Sequence, residues 1–265
     1  MNKIIYAILT VVTCASCTKS FNIQGSSNVS DLDGRMLYLK TVKGGDLKNI
    51  DSCEIVHGQF KFAGKTDSTR LATIFMDEES VMPVVLEEGD ITIQLDNTKQ
   101  CCSGTELNDK LFGFIEKYNT LMSRQSELSH IESQGYMNGD DMDAVYKKIT
   151  TEAEKIAVDE DKLITGFICD NFDNVLGPGV FMMITSGYQY PELMPWIEDI
   201  MSKATDNFKN NEYVKDYMEA AQRNQNIMNG METPAVQPQQ PLTTAPANAP
   251  APPTPAEMAQ PSGNE

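Results

Sequence analysis

The stretch Ser52-Cys53-Glu54-Ile55-Val56-His57-Gly58-Gln59-Phe60-Lys61-Phe62 decides how this chain folds. Cys53 and Ile55 alternate with Ser52 and Glu54, and Phe60 and Phe62 alternate with Gln59 and Lys61. Alternation at period two gives a strand one apolar face and one wet face. His57-Gly58 lies between the two runs. A two-residue turn ending in glycine tolerates positive φ and predicts a hairpin. The same grammar extends outward. Leu37 and Leu39 alternate with Tyr38 and Lys40, and Ile91, Ile93 and Leu95 with Thr92 and Gln94. Asp33-Gly34 and Gly44-Gly45 read as turns. Leu71–Met76 and Val81–Leu86 add two runs, and Pro83 in the second, with no N–H to donate, marks an edge strand or a bulge. From Phe21 to about Asp96 the chain predicts an antiparallel β-sandwich or open barrel of about seven strands.

The period changes near residue 103. Ser103 precedes Glu106 at capping-box spacing. Leu107, Leu111, Phe114, Ile115, Tyr118 and Leu121 then recur at three and four, the stripe of an amphipathic helix. A second stripe runs from Met142 through Ile149 and Ile156 to Ile168, with a break expected around Val158–Asp161. Gly177-Pro178-Gly179 reads as a stop, followed by a short buried helix at Val180–Ile184. Pro191 fits the first turn of a helix carrying Trp196 and Ile200, and Val214, Tyr217 and Ala221 mark a last one. The fold class is therefore α+β.

Nine of the 13 prolines fall in the last 34 residues, which contain no Lys or Arg. Such a tail cannot bury enough apolar area to offset ordering and is expected to be disordered. The expected organisation is a signal over 1–16, a β-rich domain over 17–102, a helical domain over 103–230 and a disordered Pro/Ala-rich tail over 231–265. The whole chain has 265 residues, with 21 Lys+Arg, 38 Asp+Glu and a net charge of −17. That excess of acid argues against nucleic acid as a partner, since phosphate binding needs clustered cations.

Met1–Lys3 is short and basic, and Ile4–Val12 is an apolar run too short to span a bilayer. Thr13-Cys14-Ala15-Ser16-Cys17 follows. This resembles a bacterial lipoprotein signal, in which small residues precede an acylated cysteine. The resemblance implies lipidation, palmitate among the acyl chains, at Cys17, with Cys14 the second choice. Several acyl chains give stable anchoring. The expected location is the cell envelope, anchored in the outer membrane and facing the periplasm.

Cys53, Cys101, Cys102 and Cys169 remain in the body, none at CxxC spacing, and their pairing is open. His57 and His130 are the only histidines and have no partner cluster in the sequence. Asn138–Asp143 and Asp170–Asn174 concentrate oxygen ligands but lack the EF-hand order, so helix caps are the expectation. Asp67-Ser68-Thr69 resembles a short O-glycosylation signal of exported proteins. No cofactor or metal site is expected, and no catalytic residue is assigned.

Phe21-Asn22-Ile23-Gln24-Gly25, Gly34–Leu39, Asp51–Gly64, Gly104–Asp109 and Phe167–Gly177 together resemble the N-terminal domain of unknown function in thioredoxin-like (AhpC/TSA, TlpA-type) envelope lipoproteins. In that family a Trp-Cys-x-x-Cys thioredoxin domain follows the helices, whereas here the Pro-rich tail follows and Trp196 has no cysteine pair beside it. The expectation is a non-catalytic envelope lipoprotein with a binding or scaffolding role and an envelope protein as partner. The alternatives are an accessory or relic of a thiol-disulfide oxidoreductase, and a small-ligand carrier.

Overall fold

The computed structural model describes residues 19–96 and 100–232. The expected signal segment, Cys14, Cys17 and the tail from 233 onward lie outside the described residues. The strands are β1 (Lys19–Ser27), β2 (Met36–Lys43), β3 (Asp46–Glu54), β4 (Gln59–Thr66), β5 (Arg70–Met76), β6 (Glu79–Leu86), β7 (Gly89–Leu95) and β8 (Gln100–Ser103). They form two four-stranded sheets, ordered β4-β1-β7-β8 and β3-β2-β5-β6. Ile23, Phe62 and Ile91 from the first sheet and Leu37, Ile74 and Val84 from the second are all fully buried in one shared core. The sandwich is thus the form adopted, and the sheets do not close into a barrel. One pairing departs from the antiparallel expectation: β1 and β7 run parallel. Local alternation reports which face a strand buries but not its neighbour's direction, and these strands meet only after the chain has passed through the other sheet.

The hairpin at His57-Gly58 forms, and it turns a corner. Val56 and Gln59 exchange both backbone hydrogen bonds, at 2.9 and 3.0 Å. His57 (φ 53°) and Gly58 (φ 69°) take the left-handed backbone that this two-residue turn requires. Beyond that single bridge the arms part, β3 into one sheet and β4 into the other. Gly58 is needed twice, because a Cβ there would lie 2.5 Å from the Ser27 carbonyl oxygen.

The pairing of β1 with β4 explains the Phe-x-Ile-x-Gly and Phe-x-Phe-x-Gly runs. Phe21 sits opposite Gly64, Ile23 opposite Phe62, and Gly25 opposite Phe60. Each terminal ring lies across the glycine facing it. A Cβ on Gly25 would come 1.9 Å from the Phe60 ring, and one on Gly64 2.8 Å from the Phe21 ring. The glycines leave room on the core face and the rings fill it, which pins the register.

The helices are α1 (Glu106–Asn138), α2 (Met142–Asp170), α3 (Leu176–Thr185), α4 (Pro195–Lys203), α5 (Asp206–Lys209) and α6 (Glu212–Met228). Fully buried Phe181 centres their core, with the Tyr217, Phe208 and Trp196 rings at 5.2, 5.8 and 5.9 Å. Gly139 (φ 71°) ends α1, and the Asp141 carboxylate accepts from Asp143 N–H to open α2, so the Asn138–Asp143 acids are used as caps. Three expectations are corrected. α2 runs unbroken through Val158–Asp161, whose polar side chains face water without interrupting the backbone. Pro195, not Pro191, fills the first turn of α4. Gly177-Pro178-Gly179 lies inside the start of α3 instead of stopping a helix. There the glycines allow close approach: a Cβ at Gly177 would sit 2.4 Å from the Asn171 carbonyl oxygen, and one at Gly179 2.9 Å from Leu71. The described residues up to Gln222 form one compact unit. Those from Arg223 form a second, whose described part is the end of α6 and its glycine cap, Gly230 (φ 72°).

Gly25→Val should destabilise the chain by about 1–3 kcal/mol, the usual cost of overfilling a packed core. Urea unfolding would measure it, and adding Phe60→Leu to the same chain should recover part of the loss.

Candidate functional site

β6 is the outer strand of its sheet, so one side of its backbone has no strand neighbour among the described residues. A helix residue fills that role. Asn108, in the first turn of α1 and fully buried, accepts through Oδ1 from Val85 N–H (2.8 Å) and donates through Nδ2 to the Val85 carbonyl (2.8 Å). Its amide thus imitates a peptide group in the next strand. The same Nδ2 also donates to Thr105 Oγ1 (2.8 Å), and the Cys102 thiol reaches Oδ1 at 3.4 Å.

The contact is reciprocal. Glu87, just after β6, accepts from the backbone N–H groups of Leu107 (2.9 Å) and Asn108 (3.2 Å). A carboxylate there satisfies free donors of the helix start and opposes its positive dipole end. The expected Ser103/Glu106 capping box does not form. Thr105 is the N-cap residue and makes no capping side-chain bond, and Glu106 turns outward to Lys110 at 2.7 Å. A carboxylate brought in from the sheet takes the helix donors instead. β6 then serves two cores at once: Val84 and Leu86 face the sandwich, while Val85 packs among the helices.

Beside this clasp opens a cleft of about 710 Å³, bounded by β8, Met82-Pro83 in the middle of β6, and α1. Pro83 lies on an edge strand next to a register irregularity in the β5–β6 pairing, as its lack of an N–H requires. Asp96, Asp109 and Glu116 bring carboxylates to the walls, Phe112 brings a ring, and Asn119 an amide. Asp109 also accepts from Gly104 N–H at 3.0 Å. Such a lining can hold a polar ligand or a protein segment by hydrogen bonds.

The two cysteines of the cleft, Cys101 and Cys102, sit in different surroundings. Burial, reinforced by Cys101, Asp109 and Glu87, pushes the Cys102 thiol up to about 12, so it stays protonated. Cys101 donates to Gln94 Oε1 at 3.3 Å. All four body cysteines are free thiols. Cys53 faces Leu37 across β3 and β2, Cys169 lies in α2, and burial raises the pKa of both.

The other sequence candidates are dispersed. His57 forms the corner turn and His130 lies exposed on α1. Asn171 and Asn174 bond each other at 2.9 Å, and Asn174 caps Leu176 N–H at 2.8 Å, which spends the amides of the Asp170–Asn174 segment on helix ends. Ser68 is exposed in the β4–β5 turn, where its carbonyl accepts from Thr66 Oγ1. Among the described residues no three His, Cys, Asp or Glu side chains are grouped to hold a metal ion. The roles of Asn108 and Glu87 escaped sequence reading. Their one trace is an amide residue set between Leu107 and Leu111 of an apolar stripe.

Residues 21–111 match a family described as a domain of unknown function, DUF4369. The matched segment covers β1 through β8 and ends one turn past Asn108. No curated protein matches the chain.

Asn108→Ala leaves the Val85 N–H and carbonyl unsatisfied in a buried place and should cost about 1–3 kcal/mol in a thermal or urea melt. Thiol titration with a disulfide reagent at mild alkaline pH should label Cys101 but not Cys102 until denaturant is added.

Proposed function

We propose that this chain, whose residues 21–111 carry a DUF4369 domain, is a non-catalytic lipoprotein of the cell envelope that binds or positions a partner. In this reading acylation at Cys17 anchors it in the outer membrane, and its folded body faces the periplasm. The observation that carries the anchor is the order of the first seventeen residues: a basic start, nine mostly apolar residues, then Ala15-Ser16-Cys17. Among the described residues no helix is long and apolar enough to cross a membrane, so membrane attachment is assigned to the acyl chains. The binding role is assigned to the cleft beside the Asn108–Glu87 clasp.

The size of that cleft, about 710 Å³, also favours the small-ligand carrier as a second reading. A ligand that binds only the folded chain raises its melting temperature, which a thermal-shift screen detects. The oxidoreductase accessory gains no such support, because a thiol held protonated, as Cys102 is, attacks disulfides poorly.

Expressed in a diderm bacterium, the native chain should partition with membranes, and mass spectrometry of its mature N-terminus should find an acylated Cys17. Cys17→Ser should release the body into the soluble fraction without changing its circular dichroism. An unmodified Cys17 in a soluble native chain would overturn the proposal.

A further inference from the structure

The second half of α1 and the first half of α2 form a hairpin whose own small core is Leu121, Leu128 and Ile156. On one face of it lies a second groove, of about 630 Å³, which shares no lining residue with the cleft beside the Asn108–Glu87 clasp. Leu128, Ile131, Ala144 and Ile149 give it an apolar lining. Its rim is cationic: Arg124, Lys147, Lys148 and Lys155, against the carboxylates of Glu127 and Glu152. In a chain of net charge −17 such a rim is a local reversal of sign.

The cations divide into two groups. At one end Arg124 spans the helices to Glu152 (2.7 Å) and Asp159 (3.2 Å), and Lys155 joins Glu152 at 3.5 Å. Those charges are matched within the fold. Lys147 and Lys148, nearer the start of α2, form no ion pair among the described residues. The groove therefore has a self-neutralised end, an apolar middle and an end with unmatched positive charge.

From this arrangement we infer that the hairpin groove binds a single-chain anionic amphiphile of the fatty-acid type. Its carboxylate lies against Lys147 and Lys148, and its acyl chain covers Ile131 and Ile149 over a floor formed by Leu128. Burying those carbons removes apolar surface of both partners from water. The lysine stems extend the apolar wall while their ammonium groups stay wet. The volume is that of a small-molecule pocket. A docked helix would need an apolar seam several turns long, and the apolar lining here is limited to Leu128, Ile131, Ala144 and Ile149. A second copy of this chain packed face to face would set the unmatched lysines against each other.

The test titrates the full chain carrying Cys17→Ser with dansyl-labelled undecanoic acid and follows its fluorescence. Dodecanoate and dodecyltrimethylammonium serve as competitors of equal chain length and opposite charge. The inference expects saturable binding, displaced by dodecanoate and not by the cation. It expects Lys147→Glu with Lys148→Glu to weaken binding about tenfold or more at an unchanged helical signal and melting temperature. Ile131→Gln should weaken it too, through the chain and not the head. Absence of saturable binding, equal displacement by the cationic amphiphile, or unchanged affinity in the lysine variant would overturn it. So would binding confined to anionic vesicles or to an acidic helical peptide.

Discussion

The sandwich depends on a reciprocal exchange between two strands. β1 and β4 each carry large residues and one glycine, arranged so that each strand's terminal ring covers the other's glycine. A slip of one residue would turn either Phe21 and Ile23 or Phe60 and Phe62 to the outer face, and a slip of two would set rings against Cβ atoms. The pairing therefore admits one register. β1 in turn sits between β4 and β7, so fixing it orders the whole first sheet.

The second constraint is the clasp at the other end of the domain. Asn108 supplies a strand-like amide to β6, and Glu87 supplies a cap to α1. Each element completes the hydrogen bonding of the other, so strand edge and helix start are stable together. Asn108 also satisfies backbone groups on an edge that would otherwise pair with another chain. The cleft beside it inherits its walls from both layers.

Much of this was legible in the sequence. Alternation located strands between Phe21 and Asp96 but not β8, which lies beyond that stretch; Gly58, Gly44 and Gly45 located turns, and the three-four spacing located α1, α2 and α6. Such signals are local, and they carry the facing of each residue. What was not legible is what residues do across long separations. His57-Gly58 announces a hairpin, and nothing in it says that the arms enter different sheets. The Phe and Gly positions are visible, but the strand that each ring covers is not. Asn108 reads as an ordinary helix residue because its partner, Val85, lies 23 residues earlier on another element. Ser103 and Glu106 had the spacing of a cap, yet a carboxylate from the sheet displaced them. The proline signals were real where the backbone itself required them, as with Pro83 at an edge. They misled where two prolines, Pro191 and Pro195, competed for one helix start.

The double duty of β6 has a consequence for where this architecture is divisible. The strand's residues alternate between two interiors, and its outer backbone is completed by a residue of the following helix. A cut before Asn108 leaves a raw strand edge and uncovers Val85. A cut past Leu111 keeps the amide with its strand. The seam at which evolution or an experimenter could exchange the following module thus falls within a helix, one turn in, where the family match itself ends.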